Sequence, residues 1–137
     1  MDITFHCEDI QFDLPDDKQV IDWLKKVVVS EEKELGEISI VFTSDEYLLK
    51  VNNEYLKHDY FTDIITFDYC NDIIVSGDLL ISVDRVQENA KSFGVSFITE
   101  LRRVIVHGVL HLCGYKDKTD EEQTEMREKE DTYLAIY

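Results

Sequence analysis

The apolar positions of this chain follow two periods, and their alternation lays out its elements. Ile3 to Cys7 alternate weakly and read as an opening strand. In DDKQVIDWLKKVV, Val20, Ile21, Trp23, Leu24, Val27 and Val28 recur at helical spacing, with Pro15 just ahead of them. ISIVF, from Ile38 to Phe42, is β-branched and predicts a strand. Thr43 with Glu46 suggests a capping box for a second helix, whose inner face would carry Leu48, Val51 and Tyr55.

Asp63 to Tyr69 and Asp78 to Val83 predict two further strands. The polar stretch Cys70 to Gly77 between them predicts a hairpin loop. Asp84 is the expected cap of a short helix ending near Gly94, and Ser96 the cap of one running from Phe97 to about Cys113. Gly114 suits a left-handed stop to that helix. Thr119 with Glu122 suggests a final capping box, with Met126, Tyr133 and Ile136 anchoring the last helix.

The predicted order is β-α-β-α-β-β-α-α-α. It implies an α+β fold: a single domain over residues 1–137, with a four-stranded mixed sheet covered by about five helices. The sheet is expected to be parallel except for the last strand's pairing. The helix from Phe97 is apolar nearly all round after Val104 and is expected to run through the core.

Composition supports one folded domain. The chain has 137 residues, 44% of them hydrophobic and 11% aromatic, enough for a core. The opening MDITFHCEDI lacks the pattern of a signal peptide. The longest apolar run is too short to cross a bilayer, so no membrane association is expected. Cys7, Cys70 and Cys113 are far apart and odd in number, which fits buried, reduced thiols and a cytoplasmic location. The net charge of −16 opposes nucleic-acid binding unless a local basic patch or a metal ion offsets it.

The chemistry concentrates in VIVHGVLHLCGYKD. Residues i and i+4 of a helix lie about 40° apart around its axis, so His107 and His111 face one way. Asp117 follows the turn at Gly114 and can fold back towards them. Two imidazoles and a carboxylate with a free fourth position form the donor pattern of a catalytic zinc site. Gly108 between the histidines would let another element approach closely. The competing reading is a pair of hydrogen-bonded core histidines, since the HxxxH spacing is common by itself. Glycine at 108 excludes an HExxH protease motif. Cys113 lies about 240° around from His107 and is not counted as a ligand.

Three segments also carry a family resemblance. HGVLHLCGYKD resembles the HGxLHLxGYDH signature of the YbeY family of metal-dependent endoribonucleases, which act in ribosomal RNA maturation. VNNEYLKHDYFTDIITF is similar to that family's LNxxYRxxDxPTDVLSF, and SGDLLISVDRV to its GDIxIS segment. The three occur in family order, and the resemblance covers the chain from about Val51 to Glu130. It implies a metallohydrolase domain with one zinc ion per chain, held at His107, His111 and Asp117. The family's third ligand is usually histidine, so the aspartate makes this site harder and more negative. The family's arginine, thought to help catalysis, falls at Leu56. Lys57 is the first choice to replace it as a catalytic cation, with Arg85, Arg102 and Arg103 as alternatives. The family proline falls at Phe61.

Other polar residues have ordinary readings beside functional ones. Asp63 could accept a proton or brace a ligand histidine, but such an aspartate more often bonds turn amides. Asp78 carries the same ambiguity. His58 could touch RNA or simply be exposed, and His6 reads as structural. Tyr115 either closes over the site or packs the helix end. The acidic EEQTEMREKED of the last helix reads as a solvated face.

The leading expectation is hydrolysis of single-stranded ribosomal RNA, with the ribosome or a ribosomal protein as partner. Lys57, Arg102, Arg103, Lys116 and Lys118 are expected to form a basic rim on an otherwise acidic body. Two rivals stand beside it. One is a zinc-dependent hydrolase of another substrate. The other is a non-catalytic ribosome-assembly partner with a structural metal.

Overall fold

The computed structural model describes residues 2–137. Its elements follow the predicted order: β1 (Asp2–Cys7), α1 (Asp17–Ser30), β2 (Glu34–Thr43), α2 (Asp45–Leu56), β3 (Ile64–Asp68), β4 (Ile74–Ser82), α3 (Val83–Phe93), α4 (Phe97–Leu112) and α5 (Asp120–Leu134). The four strands make one sheet in the order β1-β2-β4-β3. β2 runs parallel to both β1 and β4, while β3 pairs antiparallel with β4. The antiparallel member is therefore β3 at the edge; the last strand, β4, is central. Nine-residue β4 has alternate residues buried, whereas β3 is five residues long and ends in an exposed aspartate, as suits an edge.

Two strands start earlier than their hydrophobic pattern suggested. β2 begins at Glu34 and β4 at Ile74, because those segments pair with each other, Glu34 opposite Ile74 and Leu35 opposite Val75. The second half of the expected loop from Cys70 to Gly77, Ile74 onwards, is thus strand. The chain reverses tightly at Asp72 and Ile73, with Asn71 and Ile74 exchanging backbone hydrogen bonds and Asp72 at φ 56°.

The main core joins Val20, Trp23, Leu24, Val27 and Val28 of α1 to Ile38, Ile40 and Phe42 of β2, Leu79 and Ile81 of β4, and the apolar faces of α4 and α5. α4 runs through this core as expected, with Leu101, Ile105, Val106, Val109 and Leu110 fully buried. Gly108 permits its close approach to the sheet: a Cβ there would lie 2.7 Å from Ile64 Cδ1 and 2.9 Å from Leu79 Cδ2. Trp23 Nε1 donates to the Tyr133 carbonyl at 2.7 Å and ties α5 to α1.

Several local expectations change. Ser44, not Thr43, caps α2, because the Thr43 hydroxyl donates to the carbonyls of Ser44 and Ile81. Ser82 caps α3, and Asp84 instead accepts the Asp45 amide. Tyr55 and Ile136 are exposed; α2 buries Leu48 and Asn52, and Ile136 lies past the end of α5. Cys7 is exposed rather than buried, while Cys70 and Cys113 are half-buried; all three are free. The Ser96 cap, the Gly114 turn at φ 110° and the Thr119–Glu122 capping box form as read. No described helix is long and apolar enough to cross a membrane.

Candidate metal centre

The last two turns of α4 and the loop after it bring His107, His111 and Asp117 together. Asp117 Oδ2 lies 3.2 Å from His107 Nε2 and 3.3 Å from His111 Nε2. One potential ligand atom from each residue lies within 4.8 Å of the other two. Ligands at zinc–nitrogen distances of about 2.0–2.1 Å in a tetrahedron are separated by about 3.3 Å, so this donor set fits zinc. All three side chains are partly exposed, leaving the group open to solvent on one side.

The other nitrogen of each imidazole is anchored. His111 Nδ1 donates to the Tyr115 carbonyl at 2.9 Å, a contact set up by the turn at Gly114. His107 Nδ1 donates to Glu130 Oε2 at 2.6 Å, while Arg103 donates to Glu130 Oε1 at 2.9 Å. Arg103 also holds Asp131 at 2.7 Å. These contacts place the proton on Nδ1 of each ring and aim both Nε2 lone pairs at the same point. Burial alone would push the His107 pKa down, but the Glu130 hydrogen bond and the charges of Glu130, Asp117 and Asp63 outweigh it and push it up. Arg103 is likewise drawn above its ordinary value: its two carboxylate partners overcome the effect of burial.

Two cavities meet at this group, sharing Asp63, Ile64, His107 and Asp117 in their walls. The first, about 410 Å³, follows α4 back from His107 and is lined by Glu100, Val104, Met126 and Arg127 among others. The second, about 670 Å³, opens towards Leu56, His58, Tyr60, Lys116 and Lys118. Burial pushes the Asp63 carboxyl up, only partly offset by the His107 charge. Its Oδ2 accepts from Asn89 Nδ2 at 3.3 Å.

The predicted cations divide by position. Lys116 and Lys118 line the second cavity and Arg103 the first. Lys57 is exposed at the C-cap of α2 with φ 56° and lines neither cavity. Arg102 stacks on Tyr137 at 3.7 Å, and Arg85 pairs with Asp45 at 2.7 Å. Leu56 does lie in the wall of the second cavity, so the position matching the family arginine is beside the site without a charge. Phe61 packs against the Arg85 guanidinium at 4.9 Å. His58 stacks on Tyr60 within the second cavity wall, and exposed His6 bonds Thr4. Tyr115 donates through its hydroxyl to Glu31 at 2.6 Å, so it packs the helix end and holds His111 through its carbonyl.

Two buried acids escaped the sequence reading. The acidic pattern of the last helix assigns Glu130 to a solvated face, yet it is 4% exposed and braces His107. The signal was its spacing: Met126, Glu130 and Tyr133 stand at i, i+4 and i+7, on one buried stripe of α5. Glu100 is 5% exposed, on the stripe of α4 that also carries Arg103, Val104 and His107. Burial, and next the Asp63 charge, push its carboxyl pKa up, against the pull of Arg103 and Arg127.

Comparison with known proteins gives a family match over residues 2–137 to the model described as Endoribonuclease YbeY. The Flavobacterium johnsoniae protein of that name is 53% identical over 135 residues, covering 98% of this chain and 96% of its own. The Bacteroides thetaiotaomicron protein of the same name is 49% identical over 138 residues, covering 99% of each. The solution structure of TM1509 from Thermotoga maritima matches with a TM-score of 0.68 at 26% identity, over 96% of this chain and 86% of that one.

Proposed function

The chain belongs to the YbeY endoribonuclease family, and from that premise we propose that it hydrolyses phosphodiester bonds in single-stranded ribosomal RNA, using one zinc ion held by His107, His111 and Asp117. The observation that carries the metal assignment is the approach of two anchored Nε2 atoms to the same carboxylate oxygen, at 3.2 and 3.3 Å. A pair of satisfied core histidines has no need of that arrangement. When bound, zinc supplies Lewis acidity towards a phosphate oxygen and lowers the pKa of water.

The chain's own residues supply the remainder. Glu130 and the Tyr115 carbonyl keep both imidazoles in the ligating tautomer. Asp63, in the wall of both cavities and with its pKa raised, takes up the proton of the attacking water. Lys116 and Lys118 attract the RNA backbone into the second cavity, beside His58 and Tyr60. A net charge of −16 repels RNA elsewhere, so isolated RNA binds weakly and the ribosome or a ribosomal protein presents the substrate in the cytoplasm.

His111→Ala tests this reading. The variant keeps its thermal melting transition while losing zinc and RNA cleavage together. Cleavage that survives both His111→Ala and exhaustive chelation would overturn it. One observation favours a second reading, a ribosome-assembly partner with a structural metal: Leu56 leaves the second cavity without the family's guanidinium. On that reading His111→Ala abolishes folding, and zinc-loaded wild-type protein cleaves no RNA.

A further inference from the structure

Glu100 is a buried carboxylate without a bound partner. It is 5% exposed, and among the described residues it has no hydrogen-bond donor and no cation within 4 Å. The carboxyl is not sealed off, since among the described residues Tyr137 Oη is the one fully enclosed side-chain polar atom without a partner, so a ligand entering the cavity beside Glu100 meets an unpaired acceptor. Glu100 faces the first cavity, whose volume of about 410 Å³ falls in the range that receives small-molecule groups, about 300–1,000 Å³.

The cavity has the composition of a base-binding pocket. Ile64, Val104 and Met126 give apolar walls, and Phe93 contributes a ring that is 60% exposed. Arg127 adds a planar guanidinium, and the described residues offer it no ion pair. Flat apolar and guanidinium surfaces hold unstacked bases, and buried polar groups read their edges. Position agrees with this. Glu100 precedes His107 by seven residues, two turns on the same face, so it lies about 10 Å back along the axis. That is comparable to the reach from a backbone phosphate to the far edge of a neighbouring base.

We propose that this cavity is a nucleobase subsite, in which a guanine flanking the scissile phosphate stacks near Phe93 and Arg127 and presents its Watson–Crick edge to Glu100. The assignment rests on the endoribonuclease reading above and adds a base preference to it. Guanine follows from the chemistry of the acceptor. An ionised carboxylate takes two donors side by side, and among the RNA bases only guanine offers adjacent N1–H and N2–H groups. Burial and the Asp63 charge raise the Glu100 pKa against the pull of Arg103 and Arg127, and the paired donors of a bound guanine favour the carboxylate form.

Calorimetric titration of the zinc-loaded full chain with GMP, AMP, CMP and UMP tests the pocket without requiring cleavage. Wild type binds GMP roughly ten- to a hundredfold more tightly than the other three. Glu100→Gln abolishes that preference, with zinc content and melting temperature recorded alongside. Phe93→Ala, at an exposed rim position, weakens all four nucleotides and remains informative if Glu100→Gln does not fold. Equal binding of the four nucleotides, a preference for AMP or CMP, or indifference to Phe93→Ala would each overturn the proposal. A parallel cleavage assay on short oligoribonucleotides separates the two readings. GMP selectivity without cleavage supports the pocket and removes the nuclease; cleavage with no base preference removes the pocket and leaves the nuclease.

Discussion

His107 Nδ1 lies 2.6 Å from Glu130 Oε2, so a ligand donor on α4 is oriented by a carboxylate of the next helix, α5, 23 residues on in sequence. Arg103 fixes that carboxylate from its other oxygen. Partners of this kind typically change metal affinity by roughly 10–100-fold when removed. Glu130→Gln is therefore expected to lower zinc affinity by that factor while zinc stoichiometry at saturation stays at one. Competition with a chromophoric chelator measures it, and an unchanged affinity would refute the bracing role.

Asp117 supplies the acceptor on which both Nε2 atoms converge. Asp117→Ala should release zinc during mild chelator dialysis, whereas Asp117→His should retain it, since an imidazole is also a good zinc ligand. Elemental analysis after dialysis distinguishes the two variants. Equal retention by Asp117→Ala and wild type would remove Asp117 from the ligand set.

Gly77 sits on central β4, where an added Cβ would collide with the Phe67 carbonyl oxygen and come within 2.8 Å of Leu112 Cδ2. A backbone oxygen held in the β3–β4 ladder cannot yield as a side-chain end can. Gly77→Ala is expected to cost about 1–3 kcal/mol, read as a lower urea midpoint at unchanged slope.

Glu31 accepts from the hydroxyls of Tyr115 and Tyr133 and from Lys129. Burial opposes its ionisation, but these three donors outweigh burial and hold the carboxyl below its ordinary 4.5. A folded pKa below the unfolded one gives stability that is complete above the unfolded value and is lost as pH falls through the folded one. Glu31→Gln should therefore destabilise the protein at pH 7 by about 1–3 kcal/mol, with a smaller difference below about pH 4.5. Urea unfolding at both pH values checks the sign.

Cys113 is pushed up to about 12 by burial, with the Glu31 charge adding to it, whereas Cys7 is exposed. Since the thiolate is the reactive form, iodoacetamide at pH 8 is expected to label Cys7 first and Cys113 last. Peptide mapping over time reads the order; early labelling of Cys113 would contradict its placement beneath the helix end.

The element order and the histidine pair were legible because each depends on short-range geometry. Helical periodicity put Val20 to Val28 on one face, and i, i+4 spacing aligned His107 with His111 before any tertiary contact was known. Gly108 and the Thr119–Glu122 box were readable for the same reason, since sterics and capping act within a few residues.

Residues whose role depends on a distant partner could not be read that way. The early starts of β2 and β4 exist because Glu34 and Ile74 pair across 40 positions. The Ser44 and Ser82 caps were decided by what Thr43 and Asp84 found elsewhere. Glu130 looked like one more acid on an acidic helix until α5 packed on α4 and carried it to His107. Burial there leaves a carboxylate few options besides an imidazole and a guanidinium, and that constraint arises only once the elements are assembled. By itself, the amino-acid order determined which side chains could share a helical face; the fold decided which acids, cations and strand ends would meet.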